Sequence, residues 1–224
     1  MGRALIKIRK VIFWTHLAAG VIVGAVILFM SVTGMMLAFR PQIVGVNPQA
    51  KVFMKKIEGW HRWFGMEGNL KPIAHDIKSI CTSIFLVMII SGFYLWWPRK
   101  KIKFEPGTRG RAQNWNLHNV IGFWAAPFLM TITITGLLMS YLPRHDRPRE
   151  HKTDIVKEEQ IKDTPERKFR KLIRSIHTGE AGGIVGEVIA FLVAGCAVML
   201  VWTGFSMALQ RFYSWRSLKL KGGS

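Results

Sequence analysis

The sequence predicts an all-α integral membrane protein: a four-transmembrane-helix bundle built as two related helical hairpins. Four apolar runs, at about residues 11–39, 77–97, 117–142 and 184–209, are each long enough to cross a hydrocarbon core. The first and third runs share one layout, with the same 18-residue interval from His16 to Gly34 and from His118 to Gly136. At about 1.5 Å of rise per residue that interval is roughly 27 Å, so each of these helices carries an imidazole at one membrane edge and a small-residue pair near the other. A Ser/Thr-Gly pair recurs in every run, as Thr33-Gly34, Ser91-Gly92, Thr135-Gly136 and Thr203-Gly204, which marks a duplicated hairpin.

The first ten residues are a short basic, amphipathic lead-in to span one. That span is too long for the apolar region of a cleaved signal peptide. After Phe39, Pro41 and Pro48 interrupt the helix and open an outer loop over residues 40–76. Within that loop Trp60, Arg62, Trp63 and Phe64 predict a helix lying on the membrane surface. Span two stops abruptly at Trp96, Trp97 and Pro98, followed by Arg99, Lys100 and Lys101 in a loop over 98–116 that is too short for a nucleotide-binding domain. The second outer loop, 143–183, is polar. A surface helix is expected within Glu158 to Arg174, with Thr164 as N-cap before Pro165 and Glu166.

The formal charge of +19 is distributed over every loop, which argues for lipid headgroups and membrane topology and against nucleic acid. Lys7, Arg9, Lys10, Arg99, Lys100, Lys101, Lys103, Arg211 and Arg216 cluster at span ends on one side, placing both termini in the cytoplasm. Trp14, Trp96, Trp97, Trp115 and Trp215 mark that same interface. Cys81 and Cys196 lie inside spans and are read as packing residues; no CxxCH occurs, so covalent c-type haem attachment is excluded. The Ser/Thr-Gly pairs are likewise read as close-packing sites between helices.

Of seven histidines, His145 and His151 sit in the polar loop and are read as solvated, whereas His16, His61, His75, His118 and His177 lie at membrane edges. Polar groups at membrane depth are costly and tend to be functional. His16 and His118 fall at the same height, with Gly20 and Gly24 beneath the first and Gly122 and Ala126 beneath the second. Paired imidazoles above small residues leave room for a flat macrocycle and suit axial ligation of haem iron from its two faces. A tetrahedral zinc site asks for more ligands in one place. On the outer side His177 pairs with either His61 or His75. On straight helices His75 would lie roughly 15 Å deeper than His177, which favours His61. With His61 as the ligand, Gly65, four residues on, would lie beneath its imidazole and relieve crowding against a macrocycle. For His75 stand Ser79 and Ser83 on its own face, and the glycines around Gly182, which would allow span four to bend.

Four segments, WHRWFG, SGFYLWWPRK, NLHNVIGF and IHTGEAGG, together resemble the PepSY-associated transmembrane family over most of the chain. That family includes bacterial inner-membrane ferrisiderophore and ferric reductases with non-covalent b-type haems. The resemblance implies axial ligands at His16 and His118 for a cytoplasmic-side haem, and at His61 and His177 for a periplasmic-side one. It also implies electron delivery to ferric iron or a ferric siderophore outside. Arg62, Lys71 and Arg174 offer charge for haem propionates or an anionic ferric chelate, and equally for lipid headgroups. No GxGxxG or flavin module names the donor, leaving quinol or a separate cytoplasmic reductase. Two other classes are open to the sequence. One is a haem-bearing anchor or quinol-linked subunit that feeds a partner protein; the other is a bundle without haem.

Overall fold

The computed structural model describes residues 3–97, 103–142 and 164–221. Every regular element among them is helical: α1 (Arg3–Ala38), α2 (Arg40–Val46), α3 (Ala50–Trp63), α4 (Lys71–Trp96), α5 (Arg111–Tyr141), α6 (Pro165–Thr178) and α7 (Gly183–Lys221), with single 3-10 turns at Gly68–Leu70 and Glu180–Gly182. The segments 98–102 and 143–163, with His145, His151 and the first part of the expected surface helix, lie outside the described residues.

Four of these helices, α1, α4, α5 and α7, are long and apolar enough to cross a membrane. Their outward faces stay hydrophobic: Ile22, Val87, Trp124 and Leu192 are all more than half exposed. In water such faces would be polar, so they identify the lipid-facing surface of an all-helical bundle. Within the ring α1 packs on α4 and α7, and α5 packs on the same two helices. The α1/α5 pair therefore faces itself across the centre, as does the α4/α7 pair. A core of Ile89, Ala125, Ala126, Leu129, Val193 and Ala197 fills the middle of the bundle.

The basic lead-in is continuous with span one. Nothing between Ala4 and Leu17 breaks a helix, and Ala, Leu, Lys and Arg are good helix formers. Pro41 does end α1, and it then opens α2, where a missing N–H costs nothing in the first turn. The surface helix of the outer loop forms as α3, with Met54 and Ile57 buried beneath it. Its counterpart α6 starts at Pro165, and Thr164 occupies the N-cap position with extended backbone. Its carbonyl accepts from the Arg167 and Lys168 amides, while its side chain makes no capping bond.

The duplication extends to packing. In the first half α3 lies on α1 and α4; in the second α6 lies on α5 and α7. Both chain termini fall at one end of the bundle, here called the terminal end, and α3 and α6 lie at the opposite, distal end.

Candidate functional site: two opposed histidine pairs

Each of the four long helices carries a Ser/Thr-Gly pair, and each pair receives one histidine. His16 Nδ1 lies 2.9 Å from Ser91 Oγ, His61 Nδ1 2.9 Å from Thr33 Oγ1, His118 Nδ1 2.9 Å from Thr203 Oγ1, and His177 Nδ1 3.2 Å from Thr135 Oγ1. The glycine of the same pair lies against the ring edge. A methyl group added at Gly92, Gly34, Gly204 or Gly136 would stand 3.3, 3.5, 3.6 or 3.1 Å from the corresponding Cε1. Every contact stays within its own half of the molecule, so the repeat visible in the sequence is a repeat of side-chain seats.

These seats fix the tautomer. The hydroxyl protons are already committed to the helix, with Thr33 donating to Phe29 O, Ser91 to Met88 O, Thr135 to Thr131 O and Thr203 to Met199 O. An oxygen whose proton is spent in this way accepts from the imidazole. A second acceptor points the same way: His177 Nδ1 is 3.0 Å from the Ile132 carbonyl, three residues before Thr135. The carbonyls of Met88, Met30 and Leu200 precede the other three hydroxyls by the same three residues. A carbonyl can only accept, and the other three rings face hydroxyls whose protons are spent in the same way, so Nδ1 carries the proton in all four rings and Nε2 presents a bare lone pair. No Nε2 of these four takes part in a hydrogen bond among the described residues. A methyl group at Gly136 or Gly92 would crowd the ring, whereas at Gly34 or Gly204 it would make an ordinary contact. The Ser/Thr-Gly pairs, expected from sequence to be helix-packing sites, are histidine seats, and this role was missed because packing alone also calls for small residues. A usable signal was present, four hydroxyl-glycine pairs for four edge histidines beside His75.

Across the bundle the seats bring histidines of the two halves together. His16 on α1 and His118 on α5 form the proximal pair, near the terminal end, with ring centroids 6.5 Å apart and planes at 90°. An imidazole nitrogen sits about 2 Å from a transition metal that it ligates, so one metal between two opposed rings puts their centres roughly 6 Å apart. A cavity of about 1100 Å³ surrounds the pair, and Gly20, Gly24 and Gly122 all line it. The Phe205 ring occupies the space over Gly24, where a methyl group would come within 2.6 Å of it; the end of Met88 lies over Gly20. On one wall Trp96 and Phe123 stack at 4.2 Å.

His61 on α3 and His177 on α6 form the distal pair. Both are partly buried, and they are close enough for the charge of one to act on the other. Burial pushes the His61 imidazole down to about 3, and positive charge on His177 and Lys78 adds to the effect. Burial also lowers His177, against the raising influence of the Ile132 carbonyl. Both rings are thereby held neutral, the form that binds metals. Lys78 on α4 is a basic neighbour that sequence reasoning missed, since nothing in the local pattern links it to α3 or α6. Arg62 is tied to Glu58 at 3.0 Å, and Arg40 meets the other Glu58 oxygen at 2.6 Å.

His75 is engaged elsewhere. Its Nε2 lies 3.0 Å from the Ser140 carbonyl and its Nδ1 3.1 Å from Asp76, so it ties α4 to α5 with both nitrogens used. Gly65 does not lie beneath His61. The helix has ended at Trp63, Phe64 and Gly65 are both left-handed, and Gly65 packs on the Trp60 indole. The residue against the His61 ring is Gly34.

A family model described as the PepSY-associated TM region matches residues 46–211. The chain belongs to the PepSY-associated transmembrane family. The matched region contains His61, His118 and His177 and three of the four seats; His16 and Thr33-Gly34 precede it and are assigned by the internal repeat. Comparison with curated proteins and with solved structures gives no match.

Proposed function

We propose that this family member is a two-haem transmembrane electron carrier that reduces ferric iron, free or held by a siderophore, on the periplasmic side of a bacterial inner membrane. The observation that supports it most is the common seating: four histidines, in two pairs at the two ends of the bundle, each with Nδ1 on a helix hydroxyl and Nε2 without a hydrogen bond among the described residues. Oriented neutral imidazoles of this kind are what a metal site needs, and the group hydrogen-bonded to the far nitrogen sets ligand direction and basicity. Among the described residues no group of three or more metal-ligating side chains occurs. The remaining ligands to a metal between two imidazoles then come from the cofactor, as in a b-type haem with His16 and His118 proximally and His61 and His177 distally.

Bound haem supplies one-electron chemistry at its iron; the chain supplies position and insulation. Basic span ends favour a cytoplasmic terminal end. Electrons from quinol or a cytoplasmic reductase would then enter at the proximal pair and leave at the distal one. The apolar core between the pairs keeps ions and water out of that route. One electron converts Fe(III) to Fe(II) and weakens its hold on hard oxygen ligands. Lys78 and Arg62 near the distal pair favour an anionic ferric complex over a cationic one.

The decisive experiment is an absorption spectrum of the purified chain with haem counted by pyridine haemochrome, followed by reduction and then addition of a ferric chelate without any partner protein. The reading requires a bis-histidine b-type spectrum, two haems per chain and reoxidation by the chelate. A colourless protein would eliminate haem. A red protein that stays reduced until a partner is added would instead make the chain a haem-bearing subunit.

A further inference from the structure

The proximal cavity has a chemically uneven lining. Its body is apolar, but at the terminal end it carries Arg9, Lys10, Arg111 and Arg211, and no acidic side chain lines it anywhere. The cations follow the duplication: Arg9 stands two helical turns before His16, and Arg111 two turns before His118. That spacing keeps each arginine on the histidine-bearing face of its helix. Arg9 is steered by donating from Nη2 to the Leu95 carbonyl at 3.1 Å. The Arg211 guanidinium lies 4.5 Å over the Trp14 ring and 5.3 Å over Phe13. None of the four pairs with a carboxylate among the described residues.

A cavity that is apolar within and cationic at one rim matches a ligand that is apolar over its body and anionic at one edge. We propose that Arg9 and Arg211, supported by Lys10 and Arg111, form a carboxylate-binding rim. It holds the proximal tetrapyrrole by its two carboxylates and points that edge to the terminal end. This rests on the haem reading above. Carboxylates at a membrane edge are costly to leave unpaired, and the planar guanidinium fork suits them geometrically. The stacking on Trp14 and the bond to Leu95 limit how far either arginine can swing, so less ordering is needed on binding. A lipid phosphate with its acyl chain in the cavity shares this chemistry, and the experiment separates the two.

The full chain, stripped of haem and placed in nanodiscs, is reloaded with haem b or with haem b dimethyl ester, whose carboxylates carry no charge. Haem loss to excess apomyoglobin is followed, and the phase abolished by His16→Ala is taken as proximal. The Arg9→Gln/Arg211→Gln double variant should release proximal haem about tenfold faster than the unaltered chain. Esterification should produce a similar acceleration in the unaltered chain and add little in the variant. Arg216→Gln, at the same end but outside the cavity lining, should change nothing. If the glutamine variant fails to fold, Arg9→Lys/Arg211→Lys keeps the charge without the fork and should release haem at an intermediate rate. Equal release from variant and unaltered chain, or an ester effect of the same size in both, overturns the rim. So does release that follows the anionic lipid content of the nanodisc and ignores esterification. An unaltered chain that takes up no haem overturns the haem reading itself, and the rim with it; that result is distinct because no proximal phase would exist to measure.

Discussion

The proximal and distal pairs use the same seat and are built in different ways. His16 and His118 are on spanning helices, so helix register alone brings them level and aims them at each other. His61 and His177 are on short amphipathic helices outside the four spans, and each reaches its seat because a turn places it there. Helix α3 ends through Phe64 in left-handed backbone, and α6 ends through Gly179, also left-handed. At the second of these turns the backbones of Gly179 and Gly186 are in close contact, with no room for a side chain on either. A histidine set by register is disturbed at its own residue and at its seat. One set by a turn is also vulnerable at residues that never touch the ring.

The largest effect expected from this comparison is at the proximal histidines. On the two-haem reading, His16→Ala or His118→Ala should each remove one haem, and the double variant should lose no more than either single change. Haem stoichiometry by pyridine haemochrome measures this. A further loss in the double variant would mean that the two rings serve different cofactors.

Next in size, Gly179→Ala should empty the distal site while leaving the proximal haem in place. Alanine at a positive φ costs about 1–2 kcal/mol, and here its methyl group would also run into the Gly186 carbonyl. The turn would have to open, taking α6 and His177 off Thr135. Two haems retained in this variant would show that α6 is held by its packing on α5 and not by the turn.

This difference also explains what could be read from sequence. The four spans, the surface helix α3 and the level placement of His16 and His118 depend on hydropathy and helical spacing, which are local. His61 over His75 also follows, because rise along a helix limits how deep His75 can sit. The fate of Gly65 does not. Spacing put it under His61, but the helix stops at Trp63 and the positive φ of Phe64 turns the chain away. The seats were hidden for another reason: Ser91 is separated from His16, and Thr203 from His118, by most of a hairpin, and no local pattern states which helix a hydroxyl will face. Lys78 reaches the distal pair through the same kind of non-local contact.

A smaller effect tests the seats. Thr203→Val keeps the shape of the side chain and removes the acceptor, taking from His118 Nδ1–H its hydroxyl partner. Loss of a group that orients a ligand typically weakens a metal site about 10- to 100-fold. Thr203→Val should therefore hold proximal haem more weakly and shift its midpoint potential, whereas Thr203→Ser, which restores the oxygen, should behave like the unaltered chain. Valine and serine variants of equal affinity and potential would reduce the seat to a packing contact.

The smallest effect is on the haem-free protein and is read through substitutions at the distal pair. His61 and His177 are both lowered in the folded state, chiefly by burial, His61 to about 3. An exposed histidine in the unfolded chain titrates near 6.5. As pH falls below that value the unfolded chain takes up protons that the folded chain refuses, so stability is lost with falling pH. The contribution is complete above about pH 6.5 and declines progressively toward the folded value. Glu58 adds its own acid sensitivity only lower: burial raises its carboxyl, but Arg40 and Arg62 outweigh this and leave it below the usual carboxylate value. The window from pH 6.5 to 5 therefore isolates histidine. Melting of haem-free protein should shift downward across that window, and His61→Gln/His177→Gln should flatten the slope even if it lowers the melting temperature throughout. An unchanged slope would mean that the distal rings are already charged, and a charged Nε2 could not bind iron.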